Sequence, residues 1–347
     1  MNQICFIAAP LIARSGVYNS TIELVRTARA AGLEWSAVLG VSAKAGGRAT
    51  EEDGIRELEL EPSGIGGVRR LSRDLSRLPE VVAADLRVSM VPQSDMALSL
   101  GPAPWVAYLR GLPWPAPTEA GALKTAVWRT LELLALRRAR EVWATTPTLA
   151  SDVGGAVDRL VPPGLVPPTT PPASGAASGD VVWAARFSHD KNPELFLRAL
   201  SGSGITGVMY GSGPLEEQIR ASAPANVLVG GWRSREDVWA SARIYVGTST
   251  REAFGRSAVE AAMLGIPLVV SRAFGCAEML YTDAALARAL VLDPAEVPAW
   301  AAAIARLSTD EAFYEEASAH VRANASLLTV ESAVENVRSA ASRIRLV

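Results

Sequence analysis

Two glutamates, Glu252 and Glu260, lie eight positions apart in RIYVGTSTREAFGRSAVEAAMLGIPLVVSRAFGCAEM, residues 243–279. The first is in a polar loop, and the second falls about one turn into the helix that follows. Helical side chains lean toward the N-terminus, so Glu260 points back to the loop end that carries Glu252. Between them, Phe254-Gly255-Arg256-Ser257 puts bare backbone and a new helix N-terminus beside both carboxylates. The first N–H groups of a helix have no intrahelical acceptor, and the helix dipole favours an anion there. An anion flanked by two carboxylates describes a nucleotide sugar, with amides for the diphosphate and carboxylates for the hydroxyls. Two isolated glutamates would read as a solvated loop; the flanking TSTREAFG and EAAMLGIPLVVS argue against that.

The elements that position these residues form a βαβ unit. Ile244-Tyr245-Val246 is strand-like and ends at Gly247. Residues from about Arg256 to Leu264 follow a helical period, with Ala258, Val259, Ala262 and Met263 on the apolar face. Gly265 and Pro267 stop the helix, and Leu268-Val269-Val270 begins the next strand. Strand, loop and helix in this order build a parallel sheet, whose ligands bind outside the carboxyl ends of the strands. Residues 248–255 fall at such an end.

Upstream, Arg186 and Lys191 flank a polar turn after another strand-like run. A forked guanidinium and a compact ammonium together can neutralise a diphosphate. His189 and Asp190, between them, read as a solvated turn.

These residues carry a family resemblance. The stretch 243–279 resembles the donor-site signature of retaining GT-B glycosyltransferases of the family 4 (glycosyltransferase group 1) type, whose two glutamates are separated by seven residues. Trp183 to Pro193 (WAARFSHDKNP) is similar to that family's GR-x-x-x-x-K-G segment. Val208 to Leu215 (VMYGSGPL) is similar to its GxGP turn, and Asn226 to Trp232 (NVLVGGW) to its next strand. Four ordered motifs over about a hundred residues are more specific than any one alone.

The resemblance implies two Rossmann-like doubly wound domains facing a central cleft, and transfer of a hexosyl group from a nucleotide sugar, UDP- or GDP-linked, without a bound cofactor. It implies that Arg186, Lys191 and Glu252 are catalytic. The two cations would stabilise the leaving diphosphate, and Glu252 would orient the sugar or stabilise its developing positive charge. Glu260 would accept from the ribose diol, and Gly255, Arg256 and Ser257 would supply donors. Gly211 and Gly213 would bound the pocket, Gly275 in AFGC would let backbone approach the sugar, and Trp232-Arg233 would contact the base or, for Trp232, join the core. Gly16, in the loop after the first strand, would face the donor phosphates; a plain turn is the other reading. The site has no Asp-x-Asp pair, in keeping with the metal-independent chemistry of GT-B enzymes.

One departure from the family pattern stands out. The family places a histidine near the end of the strand Val106–Leu109, but the two histidines here are His189 and His320. Arg110 occupies the strand end instead. It reads equally as a donor to a phosphate or sugar oxygen and as a buried or rim ion pair.

The chain has 347 residues, a length that suits two domains. Charged residues make up 20% and the net charge is −2, so bulk charge recruits no nucleic acid. The two cysteines, Cys5 and Cys276, have no metal-ligand spacing and fit a reducing, cytoplasmic setting. The opening MNQICFIAAPLIA lacks a basic n-region and reads as a buried strand, and no apolar run is long enough to span a bilayer. Ile4 to Ala9, a helix over Ser20 to Ala31 capped by Ser15 or Asn19, and Trp35 to Val41 make a first βαβ unit. Val68 to Leu78 is a basic helix with an apolar stripe at Leu71, Leu75 and Leu78. It reads as a helix covering a sheet, with peripheral membrane contact as the alternative. Further strands are expected over Leu86 to Val91, Val106 to Leu109 and Val142 to Ala144, with a helix over Thr125 to Ala139.

Domain boundaries are expected at 1–165 for the acceptor-side domain and 180–325 for the nucleotide-sugar domain. The Pro/Gly/Ser-rich stretch 166–179 would link them, and 326–347 would form a last helix crossing back to the first domain. Acceptor contacts are expected from loops over roughly 43–57 and 92–104, which carry no code for a glycan, lipid, protein or modified nucleobase. A transferase, an epimerase or phosphorylase on the same fold, and a nucleotide-sugar-binding module without catalysis all remain compatible with these residues.

Overall fold

The computed structural model of the chain describes residues 3–14, 16–46, 48–50, 52–61, 65–114, 121–169 and 179–344. They form two compact units, residues 1–164 with 330–347 and residues 165–329. Most of the expected linker, 170–178, lies outside the described residues.

The first unit is a seven-stranded parallel sheet: β1 (Ile4–Leu11), β2 (Ser36–Val41), β3 (Ile55–Glu59), β4 (Leu86–Ser89), β5 (Trp105–Leu109), β6 (Val142–Ala144) and β7 (Arg159–Leu160), in the order β3-β2-β1-β4-β5-β6-β7. Its inner strands read as unbroken apolar runs because helices cover both faces of the sheet. In β1, for example, Ile4 to Ala9 are all fully buried. The helix Val17–Ala30 buries Ile22, Leu24, Val25 and Ala28. The last helix, Val330–Ser342, packs against it through Ala333, Val334, Val337, Ala340 and Ala341, so the C-terminal segment belongs with the first unit.

The basic helix runs over Ile65–Leu75, and its Val68, Leu71 and Leu75 are buried against the sheet. Its apolar stripe is therefore spent on the core, as a covering helix requires. Two stretches expected as acceptor loops are in part regular structure. Ile55–Glu59 is the edge strand β3, paired in register with β2. Pro92–Ser99 is a helix that begins with proline at its first position. In both places a short run of mixed polarity hides its period until neighbours bury one face.

The second unit is a six-stranded parallel sheet: β8 (Asp180–Ala184), β9 (Gly207–Tyr210), β10 (Val227–Gly231), β11 (Ala242–Gly247), β12 (Leu268–Ser271) and β13 (Val291–Leu292), in the order β10-β9-β8-β11-β12-β13. The chain winds outward from β8 through β9 to β10, then returns to pair β11 on the other side of β8. That reversal opens a crevice at the carboxyl ends of β8 and β11, where open α/β sheets bind ligands. Among the described residues, no helix is long and apolar enough to cross a membrane.

Candidate functional site at the switch point of the second sheet

The segments leaving β8 and β11 are zipped together before any ligand is considered. Trp183 Nε1 donates to Thr248 Oγ1 at 2.8 Å, and that hydroxyl donates to the Lys191 carbonyl at 2.8 Å. Thr250 donates both its amide, at 2.9 Å, and its hydroxyl, at 3.2 Å, to the Asp190 carbonyl. Fully buried Trp183 and Thr248 make this a dry, satisfied network, which is costly to rearrange.

The result is a short ion pair across the crevice: Lys191 Nζ lies 2.8 Å from Glu252 Oε2. The two side chains are only 15% and 25% exposed, so solvent screens the pair weakly. Lys191 also lies 3.3 Å from Asp190 Oδ2. Burial alone would raise the Asp190 carboxyl. The Ser188 hydroxyl at 2.6 Å and the Lys191 ammonium outweigh burial and hold it below the usual carboxylate range. Asp190 is therefore part of the cation network and not the solvated turn expected for it, whereas His189 is exposed.

Arg186 is placed differently. Its guanidinium is 75% exposed and approaches Asp190 only at 3.9 Å. That leaves its forked donors available to an incoming anion.

Gly211 and Gly213 hold the turn after β9 against the segment leaving β8. At Gly211, with φ +144°, a Cβ would sit 1.9 Å from the Ala185 carbonyl oxygen; at Gly213, with φ +157°, it would sit 2.5 Å from that of Phe187. The close approach lets the Phe187 amide donate to Ser212 O and the Leu215 amide donate to Phe187 O, each at 3.0 Å. These glycines thus position the Arg186–Lys191 turn through its backbone.

Glu252 is held from the other side by the AFGC loop. Its amide donates to Ala273 O at 3.2 Å, and the Gly275 amide donates to Glu252 O at 2.9 Å. The Gly275 N–H is therefore spent on backbone, not directed at a sugar. Phe274 fills the space above Gly247 and Gly255, where an added Cβ would meet its ring at 2.5 Å in each case. Gly255, at φ +100°, caps the helix Arg256–Met263, whose first turn contains Arg256 and Ser257. Burial and the Glu252 charge push the Cys276 thiol up, so it stays neutral and is no nucleophile.

Glu260, on the same helix, is 13% exposed, and its Oε1 lies 3.1 Å from Arg235 Nε. Tyr245, in β11, is buried within reach of both glutamate charges. Burial first, and then the Glu252 charge, push its phenol well above the ordinary value.

Residues 177–326 match the family described as Glycosyl transferases group 1. That domain covers both cations and both glutamates. The second unit is thus a glycosyltransferase domain.

The whole chain also resembles solved GT-B structures. Sucrose-phosphate synthase from Thermosynechococcus elongatus superposes with a TM-score of 0.79 at 17% identity, covering 99% of each chain. Anabaena HepE, solved with UDP and glucose, gives 0.72 at 18% identity, covering 99% of this chain and 100% of that one. The lipopolysaccharide outer core galactosyltransferase WaaB gives 0.71 at 13% identity, covering 98% and 99%. These likenesses show the fold, GT-B. No curated protein sequence matches the chain.

The two candidate residues of the first unit, Gly16 and Arg110, each bond to Ser20, whose amide donates to Gly16 O at 3.0 Å. Gly16, at φ +39°, is the cap of the helix Val17–Ala30, and Asn19 lies inside that helix; Ser15 is outside the described residues. Arg110, leaving β5, donates from Nη2 to Ser20 Oγ at 3.0 Å and stacks 5.0 Å over the Tyr108 ring. It ties the strand end to the first turn of that helix. Trp232 is 72% exposed, so it is not a core residue. His320 serves structure, accepting from the Thr282 amide at 3.1 Å and stacking on Tyr281.

Sequence reasoning missed Thr248, Thr250 and Arg235. The threonines could have been suspected from their place directly after a buried strand. Arg235 left no signal, because its partner is reached only through the fold.

Proposed function

We propose that this glycosyltransferase is a retaining, metal-independent enzyme that moves a hexosyl group from a UDP- or GDP-linked donor to an acceptor hydroxyl. The observation that carries the reading is the Lys191–Glu252 pair at 2.8 Å across the switch point, with exposed Arg186 beside it. When the sugar C1–O bond breaks, its electron pair goes to the β-phosphate oxygen. Two cations at that position stabilise charge that is larger in the transition state than in the bound donor, which lowers the barrier. They supply the neutralisation that a divalent cation provides elsewhere.

Glu252 is an electrostatic and positioning group here. Its Oε2 is engaged by Lys191, which reduces its reactivity toward C1, while the carboxylate still favours positive charge on the sugar. Glu260 takes the ribose diol, and the helix N-terminus at Gly255 to Ser257 takes phosphate oxygen.

The test is donor hydrolysis without acceptor, following UDP-glucose, UDP-N-acetylglucosamine and GDP-mannose by proton NMR. All three donors carry an α-linked sugar, so a retaining site releases the α-anomer first, together with the nucleoside diphosphate. First appearance of the β-anomer overturns retention. Isomerised donor would indicate an epimerase, and tight binding without turnover a module that has lost catalysis.

A further inference from the structure

Glu260 does not stand alone. Arg235 is the first residue of the short helix Arg235–Trp239, whose cap Ser234 accepts from the Asp237 amide at 3.2 Å. Its side chain leaves that helix start in two directions. Nη2 donates to the Val166 carbonyl at 2.6 Å, and Nε lies 3.1 Å from Glu260 Oε1. The Val166 end is itself anchored, because the neighbouring Leu165 amide donates to Leu328 O at 2.9 Å and Leu165 bridges to Thr329. The guanidinium therefore has a fixed support on one side and the glutamate on the other.

We propose that Arg235 is a positioning residue for Glu260, holding its carboxylate in the orientation that accepts the donor ribose diol. The inference rests on the ribose role proposed above for Glu260. A carboxylate on a three-torsion side chain has rotamer freedom to lose, and losing it on binding weakens the complex. Arg235 removes that freedom beforehand by attracting Oε1. A carboxylate has about four acceptor positions, so the Arg235 contact at Oε1 takes up only part of its capacity. The Nε–H is buried yet not aligned on Oε1 as a hydrogen bond, although the atoms are 3.1 Å apart. The attraction is thus Coulombic, and it tolerates the small turn of the carboxylate that a diol demands. Both side chains are largely shielded, at 28% and 13% exposure, so salt weakens the contact little.

The experiment measures calorimetric affinities for UDP, GDP and ADP and for their 2′,3′-dideoxy counterparts, using the intact chain. The variants are Arg235→Ala, Arg235→Lys, Glu260→Ala and the double alanine. Wild type should favour the tightest-binding ribonucleotide over its dideoxy form by about tenfold or more, the worth of a hydrogen bond to a charged group. Arg235→Ala should bring that ratio toward one with little change in dideoxy affinity. Arg235→Lys should restore part of it, since a point charge cannot hold both Val166 O and Glu260. In the Glu260→Ala background, Arg235→Ala should leave the ratio unchanged.

If Glu260→Ala abolishes the discrimination and Arg235→Ala retains it, the ribose role stands and the positioning role falls. Equal losses for ribo- and dideoxynucleotides in Arg235→Ala would also overturn it, because they mark a structural defect. Should Arg235→Ala not fold, the lysine variant decides: an unchanged ratio refutes the proposal. If Glu260→Ala leaves discrimination intact, or if wild type shows none, the ribose assignment is wrong and this inference falls with it.

Discussion

Arg186 and Lys191 share one proposed task, the leaving diphosphate, but the structure gives them different costs of removal. Lys191 is embedded, with its ammonium 2.8 Å from Glu252 and 3.3 Å from Asp190 at 15% exposure. Replacing it with alanine leaves Glu252 without that cation and Asp190 with only the more distant Arg186 at 3.9 Å. Exposed pairs contribute about 0.2–1 kcal/mol, and breaking a buried one costs about 3–5 kcal/mol. With Glu252 at 25% exposure, this pair falls between the limits, at about 1–2 kcal/mol. For a unit of this size that lowers the melting temperature by roughly 2–8 °C. Arg186 is 75% exposed and 3.9 Å from its partner, so Arg186→Ala should cost no more than about 0.5 kcal/mol and shift melting by under ~2 °C.

Turnover should not follow that asymmetry. If both cations act on charge that develops as the bond breaks, each alanine variant should lose about 10²–10³ in kcat with saturating donor. The double variant should lose less than the product of the two factors, since both act on one anion. Thermal unfolding and donor turnover measured on the same preparations separate the two effects. If kcat stays near the wild-type value in either single variant, that residue is no part of the leaving-group site. A melting shift for Arg186→Ala as large as that for Lys191→Ala would show that the structural placement of Arg186 is wrong.

Two further outcomes follow from other parts of the structure. Asp95 and Glu132 form a fully buried carboxyl pair in the first unit, and burial pushes both up, Glu132 further because the Asp95 charge faces it. The folded pair therefore holds protons that the unfolded chain releases above the ordinary carboxyl range, so the unfolded state binds fewer and stability falls as pH rises. Glu132→Gln should flatten the decline in urea midpoint from pH 5 to pH 8, and an equal slope in wild type and variant would show that Glu132 is not held protonated. Gly211→Ala must move a Cβ away from a carbonyl oxygen 1.9 Å distant, at the expense of the Gly211 amide bond to Gly231 O. A loss of at least about 2 kcal/mol is expected, with weaker nucleotide binding; unchanged melting would mean the turn is looser than described.

The local sequence determined the alternation of strand and helix, because burial on two faces of a parallel sheet demands unbroken apolar runs and a covering helix demands a 3.6 period. Leu71 and Leu75 announced their buried stripe in this way, as did Ala258, Val259 and Ala262, whereas Leu78, expected on that stripe, lies past the helix end and Val68 takes its place in the core. The residue types at Arg186, Lys191, Glu252 and Glu260 were also legible, since few side chains combine anion neutralisation with hydroxyl recognition at a strand's carboxyl end. Only the tertiary structure decided how they combine. Lys191 meets Glu252 because β11 pairs with β8 and not with β10, and strand order is set by which faces bury best together, which no local period records. The same holds for Asp190, whose carbonyl and carboxylate are both engaged by partners brought in by the fold, and for Arg235. Its bridge from Val166 to Glu260 joins three segments distant in the chain. Each segment reads alone as a solvated turn, a short helix or a linker end, because a side chain's electrostatic partner is fixed by distance in space and not by spacing along the chain.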